Sequence, residues 1–431
     1  MIKTKIIHFY KQFSQIDVVR VFSLTSISTL VKMLTAFVSI KIVSIILGPS
    51  GIALTGQLNN FATFILAFAT GGIKNGVTKY ISEFKDSKDQ VRLLIGTSFK
   101  ITFFASLFCG LIMLVFHDYL SLKILDSDKY GYVFIAFGIG IIFYALNNLL
   151  LSILNGFKLF KKFVVINIMA SLIGFIFTVS LVFFFKLEGA LISLITYQSI
   201  MFFLTYWILR KQDWIVFFSF KEKFDNVVAK KYFNYTLMAI TTASTIPLSQ
   251  LYLRSYVISN ISISDAGYWE GMNKLSSMYL MIITSSLGVY FLPKLSELKT
   301  NFELKKEIFK VFKVIMPMLT AGLLIIYFFK HFIVSTLFTE DFLPMESLFM
   351  YQLIGDFFKI ASWLLAFNMV AKSMTKTFII TEIAVSISFV LLSLYLVKIN
   401  GIVGITKAYM INYIAYFLTM IVIFRRIIFS K

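Results

Sequence analysis

Cysteine is almost absent: Cys109 is the single one in 431 residues, so no intramolecular disulfide can form and a buried, inert thiol is expected. Charge is scarce too, at 14% of residues, where a soluble domain carries about 25%. The three histidines, His8, His117 and His331, fall outside the apolar segments. No H-E-x-x-H, Cys/His metal set, G-x-S-x-G or P-loop occurs, so neither a catalytic set, a metal nor a cofactor is expected. An ATP-driven transporter would need its P-loop on a partner. Residues 2–18 lack the continuous apolar core and small-residue cleavage site of a signal peptide.

What the chain has instead is apolar bulk. Hydrophobic residues make up 58%, Phe alone 49, and the mean hydropathy is +0.85. No soluble core hides that much apolar surface, so the solvent must be a bilayer. Net charge is +20. In a soluble protein that excess would point to nucleic acid. Here the basic residues cluster in short loops, as membrane topology demands, and no nucleic-acid partner is expected.

A spanning helix needs about 20 apolar residues. Spans are predicted near 20–47, 51–73, 94–116, 131–156, 162–185, 188–209, 232–258, 267–291, 309–329, 347–370, 378–397 and 401–424. Alternate loops and the two tails carry 29 basic residues, and the remaining loops carry five: Lys123, Lys129, Lys186, Lys330 and Lys398. The asymmetry places both termini of a multi-pass membrane protein in the cytoplasm. Ahead of the first span, Ile2, Ile6, Phe9, Phe13 and Ile16 share one helical face, so 1–19 reads as an amphipathic helix on the membrane surface.

The two halves resemble each other. Gly51-Ile-Ala-Leu matches the segment from Gly267, Ile81-Ser-Glu-Phe matches Leu295-Ser-Glu-Leu, and Glu188-Gly-Ala-Leu matches Asn400-Gly-Ile-Val. Six spans per half give both copies the same orientation, a parallel repeat of the kind that holds substrate between its copies. The expected architecture is all-α: a six-helix lobe over 20–211, a cytoplasmic linker over 212–231 and a second lobe over 232–431. Pro247 and Pro317 fall within spans and are expected to kink them.

Nine charges are stranded inside these segments: Lys32, Lys41, Arg254, Glu270, Lys274, Asp356, Lys359, Glu382 and Lys407. Each costs at least ~2.5–3.5 kcal/mol at mid-bilayer, so they should face a watery cavity or each other. Lys32 lies roughly 18 Å into its span. Glu270 and Lys274 share a helical face, as do Asp356 and Lys359, so each pair is either self-neutralised or set beside a substrate path. Lys41 and Arg254 sit near the outer end, where snorkelling is the plain alternative. Glu382 lies near a membrane surface. Lys32, Lys41, Arg254, Lys274, Lys359 and Lys407 are the candidate cations for an anionic guest, with a phosphate or diphosphate suiting such donors. Glu270, Asp356 and Glu382 are candidate ion-coupling or structural acids. The amides Asn59, Asn60, Asn147, Asn148, Gln250, Asn273 and Gln352 accompany them, suited to sugar hydroxyls or to helix–helix contact.

Gly48-Pro-Ser-Gly, Gly71-Gly-Ile-Lys-Asn-Gly-Val-Thr-Lys-Tyr, Tyr268-Trp-Glu-Gly and Tyr351-Gln-Leu-Ile-Gly-Asp-Phe-Phe-Lys resemble segments of Wzx-type polysaccharide flippases. These belong to the multidrug/oligosaccharidyl-lipid/polysaccharide exporter superfamily. The resemblance covers nearly the whole chain and is nearest the branch handling lipid III of the enterobacterial common antigen. It implies a V-shaped, two-lobed bundle of twelve spans that moves an undecaprenyl-diphosphate-linked oligosaccharide, common-antigen or O-antigen unit, to the periplasmic leaflet. A coupling proton or sodium ion, a glycan polymerase and a chain-length regulator are the partners to be tested. The alternative is an ion-coupled multidrug antiporter of the same superfamily, disfavoured by the excess of bases over acids. A membrane enzyme is a third reading, disfavoured because the outer loops near 117–130 and 330–346 are short.

Overall fold

The computed structural model describes residues 17–287, 291, 294, 295, 298, 300–372 and 374–428, with no strand among them. The surface helix expected over 1–19 lies, up to residue 16, outside the described residues. The chain runs as α1 (Asp17–Ala69), α2 (Lys74–Phe84), α3 (Lys88–Val115), α4 (His117–Leu125), α5 (Gly131–Gly156) and α6 (Phe160–Leu209). It continues as α7 (Asn226–Asn260), α8 (Ile263–Ser286), α9 (Asn301–Phe328), α10 (Lys330–Leu337), α11 (Phe349–Ala371), α12 (Thr375–Asn400) and α13 (Val403–Ile423).

Eight helical segments among the described residues are long and apolar enough to cross a membrane. Two of them, within α1 and α6, are folded back at single residues with positive φ: Gly48 (φ 62) and Lys186 (φ 48). Gly48 meets that demand without a Cβ penalty, and Pro49 after it has the fixed φ that opens a helix. α7 and α8 are long enough but fail the apolarity test. The cause is their polar load, Gln250 and Arg254 on one and Glu270, Asn273 and Lys274 on the other. α7 and α9 continue through Pro247 and Pro317 without a non-helical residue, and the non-helical residues inside long helices are Gly48 and Lys186.

One turn recurs. Lys186 (φ 48) and Gly401 (φ 57) are 215 residues apart. At the same separation, Gly189 is pressed against the Leu181 carbonyl and Gly404 against the Leu396 carbonyl. Gly189 and Gly404 thus occupy like places in the two turns, three residues from the pairing of Gly189 with Gly401 that the sequence offers.

Two compact units are present. The first takes in the described residues up to Ser39, Ile65–Ser121 and Asp128–Leu237; the second takes in Ile40–Phe64, Leu122–Ser127 and the described residues from Met238. The core of the first is apolar, built on Ile81 of α2, Val91 and Leu94 of α3, Leu150 and Ile153 of α5, and Tyr232 at the start of α7. The connection after α6 is docked against this core. Trp214 is buried in it and stacks on Phe157 at 5.6 Å. Buried Glu222 accepts from Arg92 at 2.5 Å, the Lys100 ammonium donates to the Glu222 carbonyl at 2.6 Å, and Asp225 caps α7 through the amides of Val227 and Val228. Phe183, Phe184 and Phe185 are exposed at the end of the first arm of α6, a surface only hydrocarbon would accept.

Candidate functional site

The polar machinery lies in the second unit, and α7 and α8 begin it. Ser262 caps α8 by accepting from the Asp265 amide at 3.0 Å, which fixes where the chain turns back. The turn brings Arg254 of α7 onto Glu270 of α8. Arg254 is fully buried, donates through Nη2 to Glu270, and lies 5.4 Å from the centre of the Trp269 ring. Lys274, one turn on, places its ammonium 3.9 Å from the same carboxylate. Arg254 Nε and Nη1 have no partner. A cluster of two cations on one acid carries an excess positive charge into the interior, which is costly without a further anion.

The hairpin of α1 packs on this cluster. Gly56 faces the Glu270 side chain so closely that a Cβ there would collide with it, and Gly267 has no room for one against the Pro49 backbone. Gln57 donates to Ser255 Oγ at 2.5 Å. Lys41 donates to the carbonyls of Ser335 and Phe338 at the end of α10, a helix C-terminus that favours a cation. Lys41 thus serves as a tie in the structure, not as a free cavity cation.

The second cluster centres on Asp356 of α11. This fully buried carboxylate accepts from Ser276 Oγ (2.7 Å), Tyr279 Oη, Tyr409 Oη (2.7 Å) and Gln352 Nε2 (3.5 Å). With four donors converging, Asp356 is a satisfied anion that ties α8 and α13 to α11. Lys359, one turn along, holds its ammonium over the rings of Trp363 (5.2 Å), Tyr413 (5.6 Å) and Tyr409 (5.7 Å).

Beside this cluster lies a cavity of ≈ 330 Å³. Its walls are Ser249 and Gln250 from α7, Trp269 and Asn273 from α8, Lys359 and Trp363 from α11, Glu382 and Ser386 from α12, and Tyr409, Asn412 and Tyr413 from α13. Of the nine charges singled out in the sequence, Lys359 and Glu382 line it. Arg254, Glu270 and Lys274 form the neighbouring cluster behind Trp269. Lys407 sits apart, with its ammonium 5.2 Å from the centre of the Tyr351 ring. Lys32 belongs to the first unit and is exposed there.

The sequence reasoning missed the aromatic wall. Its signal was present, because Lys359 and Trp363, and Tyr409 and Tyr413, are each spaced four apart on one helical face. It also counted Lys74 as an ordinary loop charge. The Lys74 ammonium is held below the usual lysine value, by desolvation first and by the charge of Lys32 second. Asn147 acts as helix glue, donating to Gln198 of α6 at 3.4 Å, whereas Asn148 donates to the carbonyl of Tyr144 on its own helix.

Known proteins match over nearly the whole length. A lipid III flippase of Escherichia coli (strain K12) is 28% identical over 397 residues, covering 91% of this chain and 94% of its own. A lipid III flippase of Shigella flexneri matches to the same extent. Among solved structures, an inward-facing multidrug resistance MATE family transporter of the MOP superfamily superposes with a TM-score of 0.75 at 14% identity, covering 93% of this chain and 96% of its own. The lipid II flippase MurJ, inward closed, gives 0.73 at 15% identity, covering 95% and 90%. These structures establish a shared all-helical fold. The family model described as polysaccharide biosynthesis protein matches residues 56–347, and this chain belongs to that family.

Proposed function

We propose that this chain is a flippase that carries a lipid-linked oligosaccharide, with its lipid diphosphate, across a bacterial inner membrane to the periplasmic face. It is a transporter and not an enzyme. One observation carries the reading: the match to lipid III flippases runs over 91% of this chain. The fold does not separate flippase from drug exporter, since both superpose comparably. The interior favours the flippase. Arg254 and Lys274 share one acid, an excess of positive charge that suits an anionic head group better than a cationic drug.

The eight apolar segments, two of them folded back on themselves, give ten crossings, and α7 and α8 complete twelve with both termini cytoplasmic. The recurring turn at a separation of 215 residues supports a parallel repeat of six crossings. Arg254 with Lys274, in the second unit, are the cations assigned to the diphosphate, and Lys32, exposed in the first unit, is assigned to anion binding there. Among the acids, Asp356 is assigned a structural role, because its donors already converge on it. Glu382, at the cavity wall, is the acid open to a coupling proton or sodium ion. A glycan polymerase and a chain-length regulator are the partners that would receive the product.

Complementation tests this. Expressed in strains lacking either the common-antigen or the O-antigen flippase, the chain should restore one surface glycan. Lys32→Ala and Lys274→Ala should abolish that rescue at normal membrane abundance. Rescue of neither glycan, with the protein in the membrane, would favour drug export.

A further inference from the structure

The cavity beside Lys359 is not built like a diphosphate site. It has one cation, it has an acid in Glu382, and eight of its twenty lining residues are aromatic. A diphosphate calls for several converging donors of positive charge. Three properties define the guest instead. Flat ring faces come from Trp269, Trp363, Tyr409 and Tyr413, and the electron-rich face of an aromatic ring attracts polarised C–H groups. Proton donors are available to a guest: Asn273 Nδ2 is buried with no partner, and the Lys359 ammonium, within electrostatic reach of Asp356 and Glu382, has the rings of Trp363, Tyr409 and Tyr413 as its close contacts. The volume of ≈ 330 Å³ is at the small end of ligand pockets, which run about 300–1,000 Å³. It admits part of a head group and not the whole.

We propose that this cavity is a subsite for a single sugar of the transported oligosaccharide, a pyranose that bears a carbonyl acceptor. The C–H face of the sugar stacks on Trp363 and its neighbours. The carbonyl oxygen, from an acetamido group or a carboxylate, accepts from Asn273 and Lys359. Glu382 accepts from a ring hydroxyl. The diphosphate is held elsewhere, so this subsite reads the glycan while other cations read the lipid carrier. The assignment rests on the reading of the chain as an oligosaccharide flippase.

The test uses the full chain in lipid nanodiscs, with tryptophan emission as the signal and three soluble probes. N,N′-diacetylchitobiose offers acetamido groups only. A disaccharide of N-acetylglucosamine and glucuronate adds a carboxylate. A planar aromatic cation stands for a drug. Saturable binding of chitobiose that weakens by no more than about threefold in Lys359→Met, the loss of one hydrogen bond to a neutral acceptor, identifies the acetamido group as the source of the acceptor. Binding of the uronate disaccharide alone, weakened about tenfold in Lys359→Met, identifies the carboxylate. In both cases Asn273→Ala and Trp363→Ala should weaken sugar binding about tenfold, whereas Trp363→Phe, which keeps a ring, should stay within about threefold. If Trp363→Ala fails to fold, Asn273→Ala and Trp363→Phe decide. The proposal is overturned if neither sugar saturates, if the variants bind sugar as the parent does, or if only the cation binds.

Transport of a fluorescent lipid-linked oligosaccharide in proteoliposomes separates the two levels of argument. Parent-level transport by Asn273→Ala and Trp363→Ala would overturn the subsite and leave translocation standing. Sugar binding without transport by the parent would overturn translocation and leave the subsite.

Discussion

The two compact units bury polar groups in different ways. In the first, among the described residues, the buried hydroxyls of Ser98, Ser106 and Ser193 donate to carbonyls three residues back on their own helices. These groups are satisfied before any helix meets another. The one buried charge there, Glu222, lies on the connection after α6. In the second unit Arg254, Glu270 and Asp356 are buried within the helices, and their partners come from other helices. Helices that share the turn at 181–189 and 396–404 have thus been loaded differently. The first unit is held mainly by apolar packing, with a few neutral contacts between helices such as Ser199 Oγ to the Gly140 carbonyl at 2.8 Å. The second is held by charges that cannot be removed singly, and it also contains the cavity.

The largest expected effect comes from breaking the buried pair. Arg254→Ala leaves Glu270 with Lys274 alone, and removal of one partner of a buried pair costs about 3–5 kcal/mol. Thermal unfolding in detergent measures it. Trp214→Ala in the first unit should cost a comparable amount, about 3–5 kcal/mol, through a core cavity. The two differ in how they are repaired. Arg254→Met, Glu270→Leu and Lys274→Met combined should recover most of the stability, because buried ion clusters are commonly replaceable by apolar groups of similar volume when no member is left unpaired. It should nevertheless fail to rescue glycan export. Recovery of both stability and export would mean that the charges of the second unit serve packing only.

Asp356→Asn is the next step down. It keeps one acceptor oxygen for Ser276, Tyr279 and Tyr409 where there were two, at a cost of about 1–3 kcal/mol. Ser98→Ala in the first unit should cost less than about 1 kcal/mol, since its own helix supplied the acceptor. Equal losses at the two sites, read by the same unfolding assay, would erase the contrast between the units.

Much of this was legible in the sequence, and the limits have physical causes. Helix positions followed from apolar length, and the span predicted at 131–156 coincides with α5. Pairs on one helix were legible because spacing alone decides them: Glu270 with Lys274 is such a pair. Contacts between helices were not. Arg254 is bound to Glu270 across a turn whose geometry depends on the Ser262 cap, and Asp356 is satisfied by hydroxyls 53, 77 and 80 residues away. Lys41 was expected at a cavity and instead ties the α1 hairpin to α10. A charge in an apolar segment reports that it needs company but not which company. The aromatic wall was overlooked for a related reason, since Tyr and Trp in membrane helices are unremarkable until several face one lysine.

Gly267→Ala probes the hairpin contact. The new methyl group meets the Pro49 backbone, which cannot rotate away as a side chain would, so overpacking of about 1–3 kcal/mol is expected. Gly322→Ala, where nothing lies within 4 Å, is the control and should stabilise its helix by up to about 1 kcal/mol. If both variants unfold at the same temperature as the parent, the α1 hairpin is not closely seated on α8.

The smallest effect compares the recurring turns directly. Lys186 holds φ 48 and ψ −124, and Gly401 holds φ 57 and ψ −145. For a residue with a Cβ, such backbone angles cost about 1–3 kcal/mol, and for glycine they cost little. Lys186→Gly removes that strain but makes the unfolded chain more flexible, which offsets about 0.4–1 kcal/mol of it. A net gain of about 1 kcal/mol is expected. Gly401→Lys makes the reverse change at the matching place and should lose a similar amount. Unfolding midpoints of the two variants should therefore move in opposite directions from the parent. Movement in the same direction would mean that the two turns, alike in backbone angles, are not under the same steric constraint, and the structural support for a parallel repeat would fall with them.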